Sequence, residues 1–503
     1  MSTPRTRHPG YSLRAAAAAS QPPSDLWHRI HHHGGQISSE TTSLQLLARP
    51  EDERRCIASF WEAYFPDGRP IPAGAVRSYT CTWTETARKL FGEEECLRHA
   101  LWANCLLVTG NREGVEWMLK KAAVMYGKAL SGLRASLGTA HGARRNSVVA
   151  TVKLLEVFEV CGSPASIGAG TDAKRLQAFS RRTDSGETPD RSTSWGQHHA
   201  GELALFLSRT PVAHIDGDAH HVFADERVEM VSTPSCPAGR NERRTPPHSL
   251  SPQALSAILQ RKRLPLSTPE WKSVPWQNIP KNMKDILADV LVEMPGLLED
   301  LDNMLCLPSE SSAQTTSRRD LIRKCWEYDA QLLSWLGLLS NIAQPPEHHD
   351  PCPEPENHSG ESKSDLVTHV AQVHGMSLFW LTSMVLYSIL RAVSGPEDVL
   401  TERTNPMHHA RKLVEAIGIL MRPESGLYGK QSAALQIEIA WRYATELGGS
   451  SGEGGDLLEA LERLRGDLDR GLVATREGTK AGSGDVGLGI GMEAMKGKES
   501  MEI

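Results

Sequence analysis

The sequence predicts an all-α protein, built as an irregular multi-helix array with disordered N- and C-terminal tails and two inserted loops. Three observations lead to this prediction. Apolar residues recur at steps of three and four over long stretches, which is the period of a buried helix face. Hardly any run alternates at period two, as an amphipathic strand would. Hydrophobic residues make up 39% of the 503 residues, slightly low for a compact protein, so part of the chain is expected to be disordered.

Composition also restricts the classes of function. The formal net charge of −6 gives no bulk attraction to phosphate, so nucleic-acid binding would need a local basic patch. The nine cysteines include no C-x-x-C pair, which is typical of free thiols in a reducing compartment. The N-terminus lacks the apolar core of a secretory signal, and its Arg- and Ser-containing opening leaves a transit peptide as a weak alternative.

Changes in composition divide the chain into five regions. These are a disordered tail over 1–50, a first helical part over 51–161, an inserted flexible segment over 162–195, a second helical part over 196–450, and a charged helix with a Gly-rich disordered tail over 451–503. The first tail contains His28 and the run His31–His33. No Cys or acidic residue stands nearby at ligand spacing, so these histidines indicate a flexible polar tail more simply than a metal site.

The first helical part contains three clear helix signals. The apolar run "ECLRHALWANCLLVTG" predicts a helix that ends at Gly110. The next helix is amphipathic, and its apolar positions are Met118, Ala122, Met125, Ala129, Leu133 and Leu137. A third helix is expected to begin after Asn146, which is a good N-cap residue, and to run through "SVVATVKLLEVFEV".

Residues 231–253 form a suspected insertion in the second helical part. If "ADERVEM" is joined directly to "ALSAILQRKR", one amphipathic helix results, and a Pro/Ser/Arg loop of this length inside a helix is unusual. Val-Ser can be encoded by a splice-donor sequence, and Gln by a splice-acceptor end. We therefore expect Val231–Gln253 to derive from a retained intron, which sequencing of transcripts across this region would test.

The remaining helical texture covers 281–306, 318–342, 364–394, 405–422 and 430–447. One stretch, Val367–Leu390, contains no formally charged residue and approaches the length of a membrane span. Two His, a Gln, a Gly and several hydroxyl groups dilute its apolar character. A buried helix is therefore favoured over a transmembrane span.

A basic triad, Arg261, Lys262 and Arg263, precedes two prolines and two tryptophans, Trp271 and Trp276. Favourable interaction with a helix dipole explains the triad, and the prolines end the helix. The tryptophans are most simply core anchors. Phosphate contact or nuclear import is the alternative for the triad, although three basic residues are few for either role.

No catalytic, cofactor-binding or metal-binding residue is predicted, and the chain is not expected to be an enzyme. The segment "HIDGDAHH" brings together His214, Asp216, Asp218, His220 and His221, but a polar turn that caps the next helix explains them better than a metal site. Near "LLEDLDN", Glu299, Asp300 and Asp302 do not give the spacing of an aspartate-rich Mg²⁺ site, and they are expected to form a solvated face. Phosphate-loop, H-E-x-x-H and G-x-S-x-G motifs are absent from the sequence.

Five segments, in this order, carry a resemblance to a known family. They are "FWEAYFPDGRPIP" (Phe60–Pro72), "RHALWANCLLVTG" (Arg98–Gly110), "HHAGELALFLSRTP" (His198–Pro211), "HIDGDAHHVFADERVEM" (His214–Met230) and "LSTPEWKSVPW" (Leu266–Trp276). Over about residues 55–450 the chain resembles the regulatory region of fungal zinc-cluster transcription factors. The resemblance implies an all-helical regulatory region that modulates activity and mediates assembly and effector response.

The zinc-cluster DNA-binding head of that family, which packs six thiolates into about thirty residues, has no counterpart in this sequence. Cys56, Cys81, Cys96 and Cys105 lie at spacings that cannot form it. The sequence therefore predicts a transcriptional regulator or co-regulator that acts through protein partners, such as a DNA-binding homologue, a dimer partner or the transcription machinery. Direct sequence-specific DNA binding and membrane association are not expected.

Several alternatives remain open from sequence alone. The chain could be a small-molecule-sensing helical domain, with a possible small-molecule effector. It could instead be a full DNA-binding factor whose zinc-cluster exon is missing from the gene model, or, with least support, a helical enzyme. A nuclear location is implied by the resemblance, and a cytoplasmic location is the alternative.

Overall fold

The computed structural model describes residues 50–68, 83–139, 141–161, 191–230, 258, 261–342, 364–395, 400–448 and 454–470. Within these ranges the secondary structure is helical and contains no strand, which confirms the predicted all-α class. The N-terminal tail with its histidines, Cys81, the suspected insertion 231–253 and the Gly-rich C-terminal tail lie outside the described residues, as does most of the segment 162–195.

The helices are numbered here in chain order. The first seven are α1 (Pro50–Tyr64), α2 (Trp83–Leu90), α3 (Glu95–Glu113), α4 (Glu116–Leu137), α5 (Asn146–Cys161), α6 (Arg191–Arg209) and α7 (Gly217–Met230). The others are α8 (Pro269–Ser273), α9 (Met283–Leu291), α10 (Met294–Leu305), α11 (Ser312–Ile342), α12 (Ser364–Val393), α13 (Pro406–Leu420), α14 (Gly426–Gly448) and α15 (Gly455–Arg470).

The end of α3 differs from the prediction. The helix passes through Gly110 and ends at Glu113, where Gly114 adopts a left-handed conformation (φ 66°) and its N–H donates to the Gly110 carbonyl. Gly110 serves close packing instead, because a Cβ at this position would lie 2.8 Å from Leu119 Cδ2 on α4. The prediction that the helix ends at Gly110 was therefore wrong, and the glycine is needed for the close packing of α3 on α4.

Helix α4 has the amphipathic form that its sequence predicts. Of the six predicted apolar positions, the buried ones are Met118, Ala122, Ala129 and Leu133. Met125 is half-buried, and Leu137, at the end of the helix, is 41% exposed. The basic residues Lys120, Lys128 and Arg134 face solvent.

Helix α5 is the central element of the fold. It begins at Asn146, as predicted, and every residue from Ser147 to Phe158 is buried. It packs against α2, α3, α6, α7 and α14, so the two helical parts predicted from sequence share one core. A helix buried on all sides is expected to be apolar all round. Two charged residues of α5, Lys153 and Glu156, are nevertheless each only 1% exposed.

The apolar stretch around Val367–Leu390 forms α12, which packs against α11, α13 and α14. By length and composition α12 could also cross a membrane, but 72% of its most apolar window is buried inside the protein. This burial agrees with the favoured interpretation of a core helix.

The second helical part follows the predicted pattern with shifted boundaries. The stretch 281–306 contains two helices, α9 and α10, which are separated at Val292 and Glu293. Pro295 is the second residue of α10, where its missing N–H breaks no hydrogen bond within a helix. Helix α11 begins at Ser312, six residues before the predicted start, and α14 begins at Gly426 instead of residue 430.

Candidate functional site

Five charged side chains meet in the centre of the fold, and we call them the lysine–glutamate cluster. Helix α5 contributes Lys153 and Glu156, α6 contributes Glu202, and α7 contributes Glu226 and Glu229. The Nζ atom of Lys153 lies 3.0 Å from Glu156 Oε2 and 2.6 Å from Glu226 Oε2. It also donates to Glu229 Oε2 at 2.5 Å. The ammonium group therefore joins α5 to α7, and Glu202 of α6 adds a further negative charge nearby.

The helical period explains how α5 and α7 present these groups. Lys153 and Glu156 are three residues apart on α5, and Glu226 and Glu229 are three apart on α7. Residues three apart on a helix lie on the same face, so each helix directs two charged side chains to the same point. The cluster contains one lysine and four glutamates, so full ionisation would leave three negative charges in excess.

Burial makes such an excess unfavourable, and the pKa values shift accordingly. Burial alone would lower the pKa of Lys153, but the surrounding glutamates outweigh this effect and hold its pKa well above the usual value. Burial raises the pKa of Glu226 well above its usual value. Glu202, Glu229 and Glu156 raise this pKa further, and Lys153 opposes the rise. The neighbouring charges therefore favour the ammonium form of Lys153, and burial together with the neighbouring glutamates favours the protonated form of Glu226.

A hydrogen-bond chain connects the cluster to more distant helices. The hydroxyl of Tyr64 on α1 donates to Gln431 Oε1 on α14 at 2.8 Å, and Gln431 Nε2 donates to Glu156 Oε1 at 3.2 Å. On the other side, Lys284 Nζ donates to the carbonyl oxygen of Asp225 at 2.7 Å. The polar centre thus contacts both helical parts of the chain.

A small polar pocket adjoins the cluster and is lined by Tyr64, Trp83, Lys284 and His374, among others. The pocket has space for about one water molecule. Nδ1 of His374 lies 2.7 Å from the Tyr428 hydroxyl. Burial, with a smaller effect of Lys284 and Lys153, lowers the pKa of His374 to about 3. The pocket is too small for an organic substrate or effector.

Among the described residues, Glu156, Glu226 and Glu229 are the group whose carboxylate oxygens could hold a metal ion, since these atoms lie within 4.8 Å of one another. The ammonium of Lys153, however, donates to all three carboxylates and occupies the position that a cation would take. The arrangement accordingly acts as an internal ion-pair centre.

Sequence reasoning missed this cluster. A signal was present in the run "VVATVKLLEVFEV", where a lysine and glutamates interrupt a helix that is otherwise apolar on every face. Charged residues at such positions are buried and must be compensated by partners from other helices.

Only Ile215 and Asp216 of the segment "HIDGDAHH" lie between two helices, because residues 217–221 form the first turn of α7, so the predicted polar turn is confined to two residues. His214 is fully buried, and its ring stacks on Phe223 with centroids 4.9 Å apart. Nδ1–H of His220 points at the carbonyl oxygens of His214 (3.0 Å) and Pro275 (2.9 Å). Asp218 pairs with Lys89 at 2.7 Å. These side chains take different partners and do not converge on a metal position.

The basic triad was predicted to interact with a helix dipole, but its side chains pair with carboxylates of α10. Arg261 Nε lies 2.7 Å from Asp302, Lys262 Nζ lies 3.2 Å from Glu299, and Arg263 Nη2 lies 2.7 Å from Asp300. The three acidic residues, which were expected to form a solvated face of α10, are therefore the counter-ions of the triad. The basic triad and the acidic residues of α10, which the sequence analysis treated separately, therefore form one set of ion pairs.

Gly296 permits one of these contacts. Arg263 Nη2 donates to the Gly296 carbonyl at 3.2 Å, and a Cβ on Gly296 would lie 2.6 Å from Arg263 Nη1. The guanidinium group therefore lies directly against the backbone of α10.

The two tryptophans are core anchors, as predicted. Trp271 is 7% exposed and Trp276 is 8% exposed. Trp271 lies 5.4 Å from Phe223, measured between ring centroids. The guanidinium of Arg227 stands 4.7 Å from the ring centroid of Trp276, a cation–π contact that ties α7 to the segment before α9.

Comparison of the chain with models of known protein families, with curated proteins and with solved structures found no match. A function for this chain has to be argued from its own residues and their geometry.

Proposed function

We propose that this chain is a transcriptional regulator or co-regulator that acts through protein partners, built on a helical region resembling the regulatory region of fungal zinc-cluster transcription factors. One observation carries the proposal. The segments that bear the resemblance are far apart in sequence, yet the second, third and fourth contribute helices that pack on α5, and hydrogen bonds connect the first and fifth to this core.

Three contacts illustrate this packing. Tyr64, from the first segment, connects through Gln431 to Glu156 on α5. Glu226, from the fourth segment, pairs with Lys153 on α5. His220 of the fourth segment lies 2.9 Å from the carbonyl oxygen of Pro275 in the fifth. These contacts support the idea that the segments belong to one helical core.

The charge distribution supports action through partners. All three cations of the basic triad are paired with carboxylates of α10, so contact with phosphate would first require these ion pairs to break. In the proposal, a partner protein reads the DNA sequence and this chain contributes regulation in the nucleus.

The polar centre favours this proposal over the enzyme and sensor alternatives at that site. The ammonium of Lys153 already pairs with three of the four carboxylates of the lysine–glutamate cluster, and the adjoining pocket has space for about one water molecule. A catalytic acid–base pair or an effector site would need room for a substrate or ligand beside the polar groups.

A tethering assay tests the proposal. The full chain would be fused to an unrelated DNA-binding domain in fungal cells, and transcription of a reporter with the matching binding site would be measured. We expect the fusion to change reporter transcription, and a variant with alanine at Arg261, Lys262 and Arg263 to behave as the parent chain does. Without the fusion, we expect purified protein to bind a promoter duplex no better than a scrambled duplex at physiological salt. Unchanged reporter transcription, or sequence-selective binding that the triple variant loses, would contradict the proposal.

A further inference from the structure

The outer face of α11 carries an apolar stripe that the fold does not bury. It consists of Trp326, Ala330, Leu333 and Gly337, all exposed, with Trp326 39% and Leu333 43% exposed. The spacing of four, three and four residues keeps these positions on one face of the helix, as in a coiled-coil seam. In the described part of the chain seven large apolar side chains are exposed, and three of them are on α11: Trp326, Leu333 and Leu338.

The opposite face of α11 already supplies the contacts that hold this helix in the fold. Leu321, Cys325, Leu332 and Trp335 are buried there. The indole N–H of Trp335 donates to the Met283 carbonyl at 2.8 Å. The exposed stripe is therefore not needed to attach α11 to its neighbours.

Gly337 provides a second, independent observation. It lies inside a 31-residue helix, where glycine is destabilising relative to alanine. A Cβ at Gly337 would meet no atom within 4 Å, so no contact with the described residues requires a glycine here. A glycine on an exposed helix face is, however, well suited to receive a large side chain from a second helix.

The stripe is complementary to itself in size when two copies of α11 run antiparallel. With the two-fold axis between Gln331 and Leu332, Trp326 of each copy faces Gly337 of the other. In the same register Leu333 faces Ala330. Each large residue thus meets a small one, and the contact closes as a symmetric pair. We propose that a second copy of this chain docks on this face and forms an antiparallel α11–α11 dimer.

A second copy is favoured over an unrelated partner, because the mirrored order of large and small residues is the self-complementarity that a two-fold contact requires. A contact built on one helix pair is small, so we expect a dimer that dissociates at roughly micromolar concentration. Such a dimer does not depend on the role in transcription proposed above.

Sedimentation equilibrium of the full chain over a range of concentrations tests this inference. We expect a monomer–dimer equilibrium for the parent chain. In a dimer of Trp326→Gly, two glycines face each other at both ends of the contact and leave gaps. In a dimer of Gly337→Trp, two tryptophans face each other at both ends and clash. Each variant is expected to raise the dimer dissociation constant at least about tenfold.

Mixing the two variants gives the sharpest test. In the mixed dimer every tryptophan again faces a glycine, so we expect an equimolar mixture to recover the parent's dissociation constant. The chain carrying both substitutions restores the same pairing and is expected to recover it as well. Controls are Gly201→Trp, at an exposed glycine of α6 with open space around it, and Leu338→Gly, about a third of a turn from the stripe.

Circular dichroism establishes that each variant keeps its helical content, and the variant with both substitutions provides the test if one single variant does not fold. Three results would overturn the inference. The parent chain could be monomeric at all concentrations, its dimer could be insensitive to both substitutions, or the mixture could stay as weak as the separate variants.

Discussion

The ammonium nitrogen of Lys153 lies 2.6 Å from Glu226 Oε2, although the two residues are 73 positions apart and each side chain is only 1% exposed. This pair connects α5, the central helix, to α7. Two further carboxylates, of Glu156 and Glu229, accept hydrogen bonds from the same ammonium. The stability of the core therefore depends on a charge balance as well as on apolar packing.

Replacing Lys153 with Met removes the cation and leaves the buried carboxylates without their shared donor. We expect Lys153→Met to lower the free energy of unfolding by about 3–5 kcal/mol at neutral pH, the usual cost of breaking a buried ion pair. The loss should shrink as the pH falls, because protonation removes the uncompensated negative charges. Urea unfolding followed by circular dichroism at several pH values measures both effects.

Lys120→Met is the matched control, because Lys120 pairs with Glu116 at 2.9 Å on the solvent-exposed side of α4, with 55% of its side chain exposed. Such surface pairs contribute less than about 1 kcal/mol. If Lys153→Met and Lys120→Met lowered the free energy of unfolding equally, the buried cluster would contribute no more to stability than a surface ion pair.

Glu226 is expected to make stability depend on pH. Because its pKa in the folded protein is raised above the usual 4.5, the folded state retains a proton that the unfolded state has released. Folding then takes up a proton, so this contribution to stability is lost as the pH rises from the unfolded pKa through the folded pKa. Glu226→Gln has no proton to release, and we expect its stability to fall less than the parent's as the pH rises above about 4.5.

Denaturant titrations across this pH range measure the difference in slope, which can reach about 1.4 kcal/mol per pH unit for one proton. Glu116→Gln, at a glutamate whose side chain is 71% exposed, is the control and should parallel the parent chain. A Glu226→Gln curve that runs parallel to the parent's would mean that Glu226 is ionised in the folded protein.

The helices could be predicted from sequence, because a buried helix face produces a periodic spacing of apolar residues along the chain. The amphipathic pattern of α4 and the uncharged run of α12 each determine a helix from residues that are neighbours along the chain. Boundaries were less accessible. Gly110 has the character of a helix terminator in sequence, and only the approach of Leu119 from the next helix shows why a glycine is required inside α3.

The ionic contacts were not accessible from sequence, because they join residues that are distant along the chain. Arg263 and Asp300 are 37 positions apart, and Lys153 and Glu229 are 76 apart. Nothing in a local pattern assigns one carboxylate to one cation. The triad was consequently assigned to a helix dipole, and no prediction was made for the glutamates around Lys153.

The buried histidine His374 is expected to contribute to acid unfolding. Burial lowers its pKa from 6.5 to about 3, so below about pH 6.5 the unfolded state binds a proton that the folded state does not. This contribution lowers stability progressively as the pH falls from about 6.5 to about 3, by up to about 1.4 kcal/mol per pH unit. We expect His374→Gln, which retains a polar partner for the Tyr428 hydroxyl, to show a shallower loss of stability on acidification.

The comparison uses urea midpoints between about pH 6.5 and about pH 4.5, a range that lies between the pKa values of His374 in the unfolded and the folded protein. His141→Gln, at an exposed histidine in the turn after α4, is the control. His214 and His409, whose pKa values burial lowers to about 4, act in the same direction and remain in both proteins. If His374→Gln followed the parent's acid profile, the folded protein would accommodate a proton on His374.

Gly426 is the first residue of α14 and packs against the end of α1. Two features of this position require a glycine. Its φ is +65°, in the left-handed region, and a Cβ would lie 2.7 Å from the carbonyl oxygen of Tyr64 and 2.8 Å from that of Phe65. Backbone atoms cannot move aside as the end of a flexible side chain can. We expect Gly426→Ala to destabilise the protein by at least about 2 kcal/mol in urea unfolding.

Gly418→Ala provides the matched control, because Gly418 lies inside α13 with no atom within 4 Å of an added Cβ. The control should stabilise the protein by up to about 1 kcal/mol through helix propensity, so opposite signs are expected for the same chemical change. A loss of similar size in both variants would mean that the approach of α1 to Gly426 does not constrain the fold.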